Sequence, residues 1–189
     1  MTGPVRCGWV TSAPEYIAYH DEEWGRRVEG DDRVFERLTL EAFQSGLSWI
    51  TILRKRENFR AAFAGFSIPA VAAFGESDVA RLLADPGIVR NRAKIEAAIS
   101  NARAALDTGL SDLVWRYADP DAPVPAGDGD VPAQTPASRA LAKELKRRGF
   151  RFVGPTTAYA LMQAIGLVND HIAGCWVRAE VAAPAAPRD

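Results

Sequence analysis

The chain holds only two cysteines and two histidines, and they fall in two pairs at opposite ends: Cys7 with His20, and His171 with Cys175. Two thiolates and two imidazoles form the donor set of a closed tetrahedral zinc site of the structural type, with no position left open for a reacting group. The spacing of His171 and Cys175 puts both on one face of a helical turn. Cys7 and His20 stand farther apart than in a local zinc finger, so a shared ion would staple one terminus to the other. The same residues also read as two buried cysteines with two ordinary histidines. A third reading is a catalytic Cys–His pair, although no third orienting residue stands out beside either.

Glu41 is the second chemical feature. It falls on one helical stripe with Val34, Leu38 and Ser45, in a helix that Asp31 or Asp32 can cap. A carboxylate in line with apolar residues is costly unless it is paired or functional. The alternative is a Glu near a helix end that reaches solvent or a neighbouring Arg. Around it the chain is rich in aromatics, with Trp9, Tyr16, Tyr19 and Trp24 ahead of the helix and Trp49 after it. Gly46-Leu47-Ser48 breaks the helix, and Ser48 is placed to cap the next one, which carries Ile50, Leu53 and Phe59.

These residues are positioned by an array of short helices. Ser67-Ile68-Pro69 and Ser77-Asp78 read as helix starts, Asp85-Pro86-Gly87 as a turn, and Asn91 to Leu106 as a helix whose face is Ile95, Ala98, Ile99, Ala102 and Leu106. Arg90, Arg92 and Lys94 sit at its entry, the wrong end for the helix dipole, which favours a role for them outside folding. Ser111 to Tyr117 is a further short helix, Asp119 to Pro136 a long surface loop, and residues 182–189 a disordered tail. The organising stretch runs from Gly149 to Cys175. A helix carrying Leu141 and Leu145 stops at Gly149, a turn passes through Val153 and Gly154, and Pro155 starts an amphipathic helix through Ala158, Leu161, Met162 and Ile165. A helix–hairpin–helix of this kind turns backbone N–H groups outward where a phosphate can sit. No alternating strand pattern and no internal repeat occurs, so the fold class is all-α.

Composition narrows the setting. A chain of 189 residues, 48% hydrophobic, suits one compact domain over 1–181. It has no run apolar enough for a membrane span and no signal-peptide layout, so the expected compartment is cytoplasmic. Two distant cysteines argue against a disulfide framework. The formal charge of −1 gives no overall steering toward nucleic acid. Positive charge nevertheless gathers at Arg54-Lys55-Arg56, at Arg90 to Lys94 and from Arg139 to Arg151, which reads either as a basic face or as solvated helix faces.

The segments RCGWV, YIAYHDEEWG, LEAFQSGLSWITILRKRENF, DPGIVRNRAKI and KRRGFRFVGPTTAYALMQAIGLVNDHIAGC together resemble the constitutive (type I) 3-methyladenine DNA glycosylase family of the helix-hairpin-helix superfamily. The resemblance runs from Arg6 to Cys175. It implies a monomeric, monofunctional enzyme that flips N3-methyladenine out of alkylated double-stranded DNA and excises it. It also implies one structural zinc on Cys7, His20, His171 and Cys175. Glu41 would read the damaged base in a pocket of Trp9, Tyr16, Tyr19 and Trp49. Leu47, Gly149, Val153 and Gly154 would meet the DNA, although Leu47 reads equally as a staple beneath the Trp49 helix. Asp170 is the acid nearest the superfamily's catalytic position, and it reads instead as a residue that orients His171 or caps the final turn. The sequence departs from the family pattern at Ala42-Phe43 and at Trp176. Two other readings stay open: a non-catalytic helix-hairpin-helix DNA-binding module with a structural zinc, and a zinc-dependent hydrolase.

Overall fold

The computed structural model describes residues 3–182, and every regular element among them is helical. The first half holds α1 (Pro14–Glu22), α2 (Asp31–Gln44), α3 (Trp49–Ala62), α4 (Ile68–Ala72) and α5 (Glu76–Ala84). The second holds α6 (Arg92–Ala105), α7 (Leu110–Trp115), α8 (Pro136–Arg147), α9 (Pro155–Ile165) and α10 (Val177–Ala182). No helix is long and apolar enough to cross a membrane. The expected tail lies almost wholly outside the described residues, and its one described member, Ala182, closes α10.

α2 is the axis of the molecule. Val34, Phe35, Leu38, Leu40 and Phe43 are all buried, and α3, α6, α7 and α9 pack around them. Its C-terminal end enters a phenylalanine cluster in which Phe43 meets Phe59 at 4.8 Å between ring centroids and Phe63 stacks on Phe66 at 5.6 Å. Each such ring contributes on the order of 2–3 kcal/mol through burial alone. Ala42 and Phe43 therefore serve the core: both are buried and neither lines the cavity described below.

Asp31 and Asp32, expected as caps of α2, lie inside its first turn behind Gly30, and their carboxylates cap other helices. Asp31 Oδ1 accepts from the Ser111 N–H at 2.7 Å at the start of α7, and Asp32 Oδ1 from the Ile68 N–H at 2.9 Å at the start of α4. One acidic pair thus satisfies orphan donors of two neighbours and fixes both against α2. Ser48 precedes α3 without capping it, since its hydroxyl pairs with Thr51 Oγ1 at 2.9 Å. Lys94 also has a folding role: its Nζ donates to the carbonyls of Phe43 at 2.9 Å and Ser45 at 2.6 Å, closing the C-terminus of α2. Arg92 pairs with Glu76 and Glu96.

α8 begins on a capping box in which Thr135 Oγ1 accepts from the Ser138 N–H and Ser138 Oγ from the Thr135 N–H. Between α8 and α9 the left-handed positions are Gly149 (φ +90°) and Phe152 (φ +56°); Gly154 has an ordinary negative φ and open space around it. The turn is fastened to α6 by Asn101, whose amide donates to the Arg151 carbonyl at 2.9 Å and accepts from the Arg151 N–H at 2.7 Å. α9 ends at Gly166 (φ +82°), where a Cβ would stand 2.7 Å from the Gly25 carbonyl oxygen. The N-terminal segment docks through that approach.

Candidate functional site

The residues after Gly25 lie against the end of α9, so α1 and the chain leading into it reach the C-terminal segment. There the four sulfur and nitrogen donors converge. Cys7, His20, His171 and Cys175 are all buried, and their ligand atoms lie within 4.8 Å of one another. Cys7 Sγ is 3.6 Å from His171 Nδ1, and Cys175 Sγ is 3.5 Å from His171 Nδ1 and 3.4 Å from His20 Nε2. Bond lengths of about 2.3 Å to sulfur and 2.0–2.1 Å to nitrogen place tetrahedral donors roughly 3.4–3.8 Å apart, so these three separations match the spacing around a zinc-sized ion, and the group could hold one.

The outer contacts settle the tautomers. His20 Nδ1 donates to Asp21 Oδ1 at 2.8 Å, leaving the Nε2 lone pair toward Cys175. His171 Nε2 donates to the Trp24 carbonyl at 3.1 Å, leaving Nδ1 toward both sulfurs. A ligating imidazole is oriented in this way. Burial pushes the His171 pKa down to about 4 and lowers that of His20, which keeps both rings in the neutral form a metal needs. Burial also pushes the Cys7 thiol up to about 12, a cost that a bound cation reverses. Asp21 is held near 2, chiefly by the Arg6 guanidinium at 2.7–3.0 Å. Asp21 was not singled out in the sequence, although its place beside His20 was the signal. Asp170, expected to orient His171 or cap the final turn, directs its carboxylate to Tyr159 and Gln163 instead.

Next to this cluster lies a cavity of about 430 Å³, within the range of small-molecule sites. Trp9, Tyr16, Tyr19, Trp24 and Trp49 supply aromatic walls, and Glu41 enters from α2. The rings brace one another: Trp9 packs edge-on against Tyr16 at 5.7 Å and Trp24 at 5.1 Å, and Tyr19 lies 5.4 Å from Trp49. The walls are continuous with the Cys/His cluster, because Trp9 stands 5.4 Å from His20 and Trp24 stands 4.6 Å from His171. Tyr16 is fixed by its hydroxyl, which accepts from the Ile50 N–H at 3.1 Å at the start of α3.

Glu41 is 7% exposed, and among the described residues no hydrogen bond reaches its carboxyl group. Burial raises its pKa to about 8, against a smaller opposing pull from Arg37 one helical turn earlier. Arg37 is itself drawn toward Glu23 at 3.0 Å, and Glu23 also takes both arms of Arg56 at 2.7 Å. The positive charge behind Glu41 is therefore largely spent elsewhere.

α9 and the loop after it bring Gln163 and Asp170 to the cavity. Asp170 Oδ2 accepts from the Tyr159 hydroxyl at 2.5 Å and from Gln163 Nε2 at 2.8 Å. Asp128 and Val131 line the cavity from the 119–136 loop, so that segment is a wall as well as a surface connection. It carries a short 3-10 turn over Asp128–Asp130. Gly8 leaves room for it, since a Cβ there would stand 2.1 Å from Asp128 Oδ2.

Leu47 stands beside this site. Its N–H donates to the Gln44 carbonyl at 2.7 Å, its own carbonyl accepts from Gln44 Nε2 at 2.7 Å, and its side chain is 38% exposed. The hairpin residues lie apart from the cavity, and Val153 turns its side chain into the core, leaving only its backbone for a partner. Much of the positive charge is internally committed: Arg54 pairs with Glu15, and Arg147 and Arg148 with Glu144. Arg90, Arg139, Lys143, Lys146 and Arg151 are exposed.

Comparison with known proteins agrees over nearly the whole chain. A family model described as methyladenine glycosylase matches residues 9–179. DNA-3-methyladenine glycosylase 1 of Escherichia coli (strain K12) is 50% identical over 177 residues, covering 90% of this chain and 95% of that protein. A crystal structure of a 3-methyladenine DNA glycosylase I superposes with a TM-score of 0.88 at 51% identity, covering 91% of this chain and 98% of the other. The Staphylococcus aureus 3-methyladenine DNA glycosylase I, solved for its recognition of 3-methyladenine, gives a TM-score of 0.84 at 32% identity, with 92% and 96% covered.

Proposed function

The chain belongs to the methyladenine glycosylase family, and on that premise we propose that it hydrolytically excises 3-methyladenine from alkylated duplex DNA with the Glu41 cavity as its base pocket. The observation that carries this is a buried carboxyl group without a protein hydrogen-bond partner inside an aromatic cavity. A base must leave the stack to reach such a pocket. Adenine methylated at N3 is a cation, and electron-rich Trp and Tyr faces attract it as they cannot attract neutral adenine. Its charge also acts on Glu41. In the empty cavity burial holds the carboxyl protonated near neutral pH. A cationic base at short range favours the carboxylate, so the lesion, and not the normal base, generates the partner that binds it.

The chemistry then needs little acid assistance. The glycosidic bond breaks with its electron pair going to the base, which departs neutral; water adds its oxygen to the sugar carbon and releases a proton to solvent. We read the enzyme as monofunctional; among the described residues that line the cavity there is no lysine to form a Schiff base. Leu47 fills the vacated stack, as apolar wedges do. The α8–α9 hairpin, in a helix-hairpin-helix fold, grips the phosphate backbone through its N–H groups together with the basic side chains of its flank. Cys7, His20, His171 and Cys175 hold one structural zinc, whose contribution with four protein donors is to tie the termini together. A single main core extending from α2 to α9 supports one domain over 1–181, which we take to work as a monomer.

The test is release of free 3-methyladenine from methylated duplex DNA by wild type and Glu41→Gln, with zinc content measured in both. Release by wild type, strongly reduced in the variant at equal zinc content, supports the reading. DNA binding without release returns the chain to a non-catalytic binding module, and equal release by both proteins removes Glu41 from the chemistry.

A further inference from the structure

The cavity contains two glutamines, and both are turned the same way. Gln44 Nε2 donates to the Leu47 carbonyl at 2.7 Å, and Gln163 Nε2 donates to Asp170 Oδ2 at 2.8 Å. A carboxylate oxygen only accepts, so the Asp170 contact fixes which end of the Gln163 amide faces it and leaves Oε1 as the available atom. Asp170 cannot drift to another partner: it is 4% exposed, and the Tyr159 hydroxyl donates to the same oxygen at 2.5 Å. Burial and the Asp170 charge keep the Tyr159 pKa above its ordinary value, so that hydroxyl stays a donor. Each pocket amide therefore commits one of its two N–H donors to the protein, which fixes its orientation and leaves its carbonyl oxygen for a ligand.

This matters because charge and stacking cannot separate 3-methyladenine from 3-methylguanine, since both lesions are cationic purines. They differ at the sixth ring position, an amine in one and a carbonyl in the other. Glu41 titrates near the working range and is able to donate as well as accept, so it does not exclude a carbonyl alone. An amide locked by a carboxylate does not titrate. We propose that Gln163, held in place by Asp170 and Tyr159, is a specificity-determining residue whose Oε1 accepts from the exocyclic amine of the adenine lesion and opposes the carbonyl oxygen of the guanine lesion. Asp170 and Tyr159 act through Gln163 and are positioning residues. The inference rests on the glycosylase reading above.

The experiment measures kcat/KM for release of both bases from methylated duplex DNA by wild type, Gln163→Leu and Asp170→Asn. Gln163→Leu removes the acceptor. Tyr159 and Gln163 both donate to Oδ2, so in Asp170→Asn the amide oxygen takes over both bonds and keeps the Gln163 oxygen toward the cavity. The ratio of 3-methyladenine to 3-methylguanine release falls at least about tenfold in Gln163→Leu, as expected when an amine-reading contact is lost, and is largely retained in the conservative Asp170→Asn. Equal losses on both lesions, with the ratio unchanged in Gln163→Leu, overturn the proposal, because a purely structural role lowers both together. Zinc content and Tm are followed because Asp170 adjoins His171, and Gln163→Leu decides the matter if Asp170→Asn loses metal. Wild type that releases no 3-methyladenine overturns the glycosylase reading itself. Wild type that releases it, with an unchanged ratio in Gln163→Leu, overturns this inference alone.

Discussion

Trp24 and His171 are joined twice: the Trp24 carbonyl accepts from His171 Nε2 at 3.1 Å, and their rings meet edge to face at 4.6 Å. One partner lines the cavity and the other belongs to the Cys/His cluster, so that wall of the pocket is held by the cluster. Gly25 makes the approach feasible, since a Cβ there would stand 3.0 Å from His171 Nε2.

Metal removal is therefore expected to unfold the pocket rather than switch it off. Prolonged chelation, or Cys175→Ser, lowers Tm by about 10 °C or more, as the loss of several kcal/mol does in a chain of this size. Calorimetry with metal analysis checks it; a chelated protein with unchanged Tm and tryptophan emission contradicts it. Asp21→Ala, which frees the His20 ring, weakens metal affinity by roughly 10–100-fold.

The stability contributed by neutral Glu41 has a defined pH window. The folded pKa of about 8 lies above the ordinary 4.5. The protonated form is thus favoured by folding: its contribution is complete below pH 4.5 and is lost as pH rises toward 8. Glu41→Gln has no such dependence. Its stability relative to wild type improves by about 3 kcal/mol between pH 5 and pH 7.5 at 1.36 kcal/mol per unit. Urea unfolding at both pH values measures it, and parallel pH profiles for the two proteins refute it.

Asn101 supports the hairpin from a buried position, 2% exposed, through two bonds to Arg151. Asn101→Leu strips both bonds at once and destabilises the protein by about 1–3 kcal/mol. Affinity for undamaged duplex DNA falls, while binding of free 3-methyladenine, which involves only the cavity, is retained. Titrations with each ligand separate the two effects.

Leu47→Ala removes an exposed side chain whose carbonyl and N–H are both tied to Gln44. Stability changes by no more than about 0.5 kcal/mol, while kcat/KM on methylated duplex falls. A drop in Tm without a drop in duplex activity identifies Leu47 as a staple and not a wedge.

Legibility in the sequence followed the range of the interactions. The helical stripe of Val34, Leu38 and Glu41 and the restart at Pro155 depend on neighbours a few residues away, and their helices form where the periodicity places them. The Cys/His donor set was countable from the sequence because only four such residues exist. Contacts between distant helices were not readable. Asp31 and Asp32 satisfy the local pattern of a cap, yet each carboxylate finds its donor on another helix. Lys94 looked misplaced on its own helix because it neutralises the end of a different one. Gln163 carried no signal, since the atom that fixes its amide belongs to Asp170, beyond the end of its own helix.

The Cys7–His171 contact spans 164 residues of chain. The entropy of closing so long a loop grows only with the logarithm of its length, but the closure must still precede any contact it enables. Trp9, Tyr16 and Tyr19 leave the ribosome well before Gln163, Asp170 and His171. During synthesis the aromatic residues are exposed while their partners do not yet exist, and the cavity forms only after the final turn has emerged. A truncation that removes His171 and Cys175 would thus erase the binding site without deleting any of its aromatic walls.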